Sequence, residues 1–81
     1  MTIPELAGAL RAVNLALEQA EATTSSAVPL LTEARATLTA ATRDPNGYQP
    51  VELDLAMAQL STARDLIAQA RQSILDYLMR L

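Results

Sequence analysis

Glu18 and Glu21 stand one helical turn apart, the spacing that carboxylate-bridged metal sites use on one face of a helix. Such sites also need Glu and Glu-x-x-His contributions from facing helices, and this chain contains no His at all. The two carboxylates are therefore expected to form a solvated acidic face. Thr23, Thr24, Ser25 and Ser26 offer four hydroxyls in a row, but a hydroxyl nucleophile needs an adjacent base, and the chain has no His, Cys or Lys to serve as one. They read as a polar stretch. Asp76 and Arg80 have the i,i+4 spacing of an ion pair that stabilises a helix by a few tenths of a kcal/mol. No catalytic, cofactor-binding or metal-ligating residue emerges, and the expectation is a protein that is not an enzyme and takes no small-molecule substrate.

The rest of the composition narrows the partners. The six basic residues are all Arg, scattered at positions 11, 35, 43, 64, 71 and 80 in a chain of net charge −3, so no basic stripe is offered to a phosphate backbone and nucleic acid is not expected. No run of about 18 apolar residues is present, so no membrane span is expected. Met1-Thr-Ile-Pro-Glu5 lacks the basic start of a secretory signal, which points to a cytoplasmic protein with export by a signal-free route left open. The absence of Lys beside abundant Ala, Leu and Thr hints at a GC-rich genome such as an actinobacterial one. Without Cys no disulfide can brace a domain of 81 residues, a size that buries too little surface to be comfortably stable alone.

Stepping along the chain from Ile3, apolar or small residues fall at 3, 6, 10, 13, 17, 20, 27, 31, 34, 38 and 41, with Thr24 filling the one gap, and again at 53, 56, 60, 63, 67, 70, 74, 77 and 81. Alternating steps of three and four make a heptad seam on each of two helices, expected over 3–43 and 50–81. Between them Pro45 stops the first helix, Asn46-Gly47 supplies the turn at 44–49, and Pro50 suits a first helical position. Tyr48 in that turn is read as a plug over the hairpin end or a recognition handle. Pro29 costs about 3 kcal/mol inside a helix; because the seam keeps its phase across it, a helix kinked there is expected rather than a break into three helices. The fold class is thus all-α, an antiparallel helical hairpin in a single domain.

A short turn sets seam residues opposite one another when their numbers sum to about 94, large facing small: Leu38 with Ala56, Leu31 with Ala63, Leu17 with Tyr77. The same register brings Glu21 near Arg71 and Leu30 near Leu66. It leaves residues 3 to about 12 overhanging, beside a C-terminal turn that is apolar nearly all round. Ile3, Leu6, Leu10, Leu75, Leu78, Met79 and Leu81 are accordingly the candidate partner-binding residues, and a second hairpin, identical or different, completing a four-helix bundle is the expected partner.

An acidic, Ala- and Leu-rich, Cys-free hairpin of this length resembles the WXG family of small proteins exported by type VII secretion. The resemblance covers the whole chain in architecture; Asn46-Gly47-Tyr48 stands where that family carries Trp-x-Gly, and its Tyr-x-x-x-acidic export spacing occurs here as Tyr48 to Glu52. The chain is also similar to the Ala-rich helical leaders that accompany actinobacterial polymorphic toxins, which end in segments like Tyr77-Leu-Met-Arg-Leu81. The resemblance implies a helical adaptor that pairs with another hairpin to target or carry an effector. The alternative function is a scaffold acting through homo-oligomerisation alone.

Overall fold

The structure, a computed structural model, describes residues 1–42 and 50–81; the expected turn residues Asn46, Gly47 and Tyr48 lie outside the described residues. Two helices, α1 (Ile3–Thr42) and α2 (Val51–Arg80), pack antiparallel into a rod measuring 62 × 16 × 14 Å. α1 begins on a reciprocal cap that the Thr-x-x-Glu spacing encodes. The Glu5 backbone N–H donates to Thr2 Oγ1 at 3.2 Å, and the Thr2 N–H donates to Glu5 Oε2 at 3.5 Å. α2 opens at Pro50 without a side-chain cap, but Glu52 and Asp54 in its first turn and Arg80 in its last complement the helix dipole.

α1 runs without interruption through Pro29, which rules out three separate helices. The polar stretch before it is helical because its hydroxyls turn inward on the backbone: Thr23, Thr24 and Ser26 donate to the carbonyls of Gln19, Glu21 and Ala22 at 2.9 to 3.0 Å. Satisfied in that way, they have no need of a loop. Pro29 itself is exposed, so its ring meets solvent and not the facing helix.

The helices are slid relative to the expected register. Arg35 pairs with Asp54 and Arg71 approaches Glu18, both with residue numbers summing to 89, and the shorter Arg71 contacts to Glu21 and Asn14 sum to 92 and 85, so the contacts centre near 89. Compared with the expected 94, this moves α2 roughly one turn, about 7 Å, toward the start of α1. The consequence is visible at both ends. Ala7 is buried and Leu6 and Leu10 are half-buried, so the supposed N-terminal overhang is largely covered, whereas every residue from 36 to 42 is exposed. Closing the turn directly from one helix end to the other was the assumption that misplaced the register.

The half-buried line on α2 runs 53, 56, 60, 63, 67, 71, 74, 78. It starts on the heptad seam and ends one residue beyond it, because a straight helix of 3.6 residues per turn drifts about 20° per heptad, close to one residue over four heptads. Arg71 and Leu78 therefore replace Ala70 and Tyr77 in the seam, and Tyr77 is left 48% exposed instead of facing Leu17. On α1 the seam is centred on 10, 17, 24 and 31 as expected, and Leu6, Ala20 and Ala27 of the expected flank are half-buried, but a second flank, 7, 14, 21, 28 and 35, is drawn in as well. That flank brings in Asn14, Glu21 and Arg35.

Candidate interaction surface

The polar residues drawn into the seam cluster on one side of the rod. The Arg71 guanidinium donates to Glu21 Oε2 at 2.7 Å and to Asn14 Oδ1 at 3.3 Å, with a Glu18 oxygen 4.0 Å away. Arg35 binds Asp54 through two nitrogens, the hydrogen bond holding the guanidinium even more firmly protonated. Glu18 and Glu21, the pair whose spacing suggested chemistry, thus neutralise an arginine of the facing helix. The proximity of Glu21 and Arg71 follows the sequence reading. Asn14, Glu18 and the Arg35–Asp54 pair were not anticipated, although the 3.6-residue drift of a straight helix carries enough information to find Arg71 at the seam.

These clasps differ in strength. Arg71 is about three-quarters covered and makes charge-assisted bonds, whereas Arg35 and Asp54 are both well exposed and screened. Arg71→Ala should destabilise the fold by roughly 1 to 2 kcal/mol and Asp54→Ala by less than about 1 kcal/mol. Urea unfolding at fixed protein concentration checks the order, and an equal or reversed cost would show that Arg71 does not fasten the helices.

Among the described residues the opposite side carries no ion pair and is mostly apolar. On α1 it holds two lines stepping by seven: Leu6, Val13, Ala20, Ala27, Ala34, Ala41, and beside it Ala9, Ala16, Thr23, Leu30, Thr37. No residue in either line is charged. On α2 the matching side carries Ala56, Ala63, Ala70 and Tyr77, flanked by Leu66. A shallow groove of about 300 Å³, lined by Ala58, Gln59, Thr62, Ala63 and Leu66, runs along it. Leu30 is 66% and Leu66 59% exposed, and the register that places Leu66 beside Thr23 does not bring the two together as expected.

Among the described residues only Ala7 and Pro50 are buried. The chain exposes 5975 Å², against about 4,700 Å² for a compact monomer of 8.7 kDa. Its radius of gyration is 18.8 Å, where a globular chain of this length has about 12 Å. The excess surface, about 1,200 Å², exceeds the roughly 800 Å² per partner that a standard interface covers.

Compared with protein-family models, curated proteins and solved structures, this chain matches none. What it does must be argued from the hairpin itself. The seven candidate partner-binding residues divide in two. Leu10 and Leu78 are half-buried in the hairpin's seam and Leu6 is half-buried at its edge, on the side away from the ion pairs; Ile3, Leu75, Met79 and Leu81 are exposed. No described helix is long and apolar enough to cross a membrane.

Proposed function

We propose that this protein is a non-enzymatic interaction module, a helical hairpin completed by a second helical hairpin. The observation that carries the reading is the surplus of exposed apolar surface on a two-helix rod that seals almost nothing of its own. A two-layer arrangement needs each apolar stripe covered, and a hairpin can cover only one stripe per helix. A rod 62 Å long with an uncharged flank fits another rod of similar length, not a small ligand, since its groove is shallow and open. The likeness in architecture to type VII secretion hairpins supports the finer form, an adaptor that pairs before an effector is carried or exported. The self-complementary pattern described next favours the other form, assembly with its own kind.

Size-exclusion chromatography with light scattering tests the reading. The isolated chain should run as a particle heavier than 8.7 kDa, or stay soluble and helical only beside a co-expressed helical partner. A single-chain particle that unfolds cooperatively on its own would refute it.

A further inference from the structure

The side of the rod facing away from the ion-pair clasps, charged on α2 only toward its ends at Glu52 and Arg80, has a symmetry of its own. On α2 the line Glu52, Gln59, Leu66, Ser73, Arg80 steps by seven. Turned end for end about Leu66, it sets Glu52 against Arg80, Gln59 against Ser73 and Leu66 against itself. Acid meets base, polar meets polar and apolar meets apolar. The adjacent line reverses half a residue further on, between Leu66 and Ile67, with Ala56 against Tyr77 and Ala63 against Ala70.

α1 behaves likewise about a centre at Thr23. Reversal there sets Ala16 against Leu30, and on the neighbouring line, reversed half a residue further on between Thr23 and Thr24, Val13 against Ala34, Leu6 against Ala41 and Ala20 against Ala27. Large residues meet small ones, the arrangement that lets helices interdigitate without overpacking.

A single two-fold axis can relate both helices only if the two centres lie at the same height along the rod. They do. Thr23 and Leu66 sum to 89, inside the range of 85 to 92 spanned by the contacts across the hairpin, Arg71 with Asn14, Glu18 and Glu21 and Arg35 with Asp54. The centres come from the pattern on each helix and the height from polar contacts on the opposite side.

We propose that the side facing away from the ion-pair clasps is a self-complementary interface that binds a second copy of this chain, the two rods lying antiparallel about an axis through Thr23 and Leu66. This rests on the interaction-module reading and names its partner. An isologous contact demands such self-matching, whereas a different partner would place no palindrome on this face. The surplus surface is of the size a stable dimer removes from water. The product is a four-helix bundle with both ion-pair clasps outside and Glu52 of each copy beside Arg80 of the other.

The absence of Cys makes the test direct. Leu66→Cys and Thr23→Cys, each made singly in the full chain and mildly oxidised, should each give a disulfide-linked dimer from most of the protein, since only residues near the axis approach their own copies within disulfide reach. Ser61→Cys, on the ion-pair side of α2, should stay single. Both central positions are exposed in the hairpin, so neither change disturbs its seam. Linkage only between mixed Thr23→Cys and Leu66→Cys chains would overturn the proposal, because it requires an axis along the rod. Linkage at Ser61 would overturn it by placing the contact on the other side. Sedimentation of the unoxidised variants separates the two levels of the reading: an assembly that fails to link refutes this face, and a folded monomer refutes association with it.

Discussion

The melting temperature of this protein should fall by about 3 to 6 °C for every tenfold dilution. A tenfold change in concentration is worth 1.4 kcal/mol to an association equilibrium, and for a cooperative unit of two chains each kcal/mol moves the midpoint by about 2 to 4 °C. The dependence arises because the hairpin alone is poorly covered. Leu10, Leu17, Leu31, Leu60, Ile67 and Ile74 line its seam only half-buried, and burial of a Leu or Ile contributes its full 1.5 to 3 kcal/mol only when complete. The second layer that would finish their burial also covers Leu30 and Leu66, so folding and association are linked. Circular dichroism melts across a hundredfold range of concentration check it. A midpoint that does not move would mean that the single hairpin is stable enough to need nothing else.

Pro29→Ala should raise stability by about 1 to 3 kcal/mol per chain and the midpoint by about 5 to 15 °C. The new N–H can pair with the Ser25 carbonyl, four residues back, and the ring's clash with that turn disappears. Part of the gain is offset because Pro also restricts the unfolded chain. Since Pro29 is exposed and the helix already continues through it, no rearrangement is needed to accept Ala. Thermal and urea unfolding measure the change. A neutral or destabilising result would show that the packing of α1 depends on the local geometry Pro29 imposes.

The hairpin was legible in the sequence because its signals repeat: two long apolar periodicities, a Pro- and Gly-bearing segment between them, and a phase that survives Pro29. The facing of side chains was less legible. A strict seven-residue repeat places Tyr77 in the seam, but the physical helix turns 3.6 residues at a time, so by the end of α2 Leu78 has taken its place and Tyr77 is half-exposed. The register failed for a different reason. Large-to-small matching is satisfied by Ala-rich helices in several alignments, since Ala opposes almost anything at little cost, and long-range charge pairs decide among them. Arg35 with Asp54 and Arg71 with Glu18 are such pairs, nineteen or more positions apart, and heptad counting weighs neither.

Small-angle X-ray scattering in solution tests the central claim most directly, because it reports mass and shape together. Two rods lying side by side should give a particle of twice 8.7 kDa with a maximum dimension still close to that of one 62 Å rod and a visibly thicker cross-section. A particle of one chain mass with a radius of gyration near 18.8 Å would contradict the account, and so would a dimer nearly twice as long, which would place the contact at the rod's end.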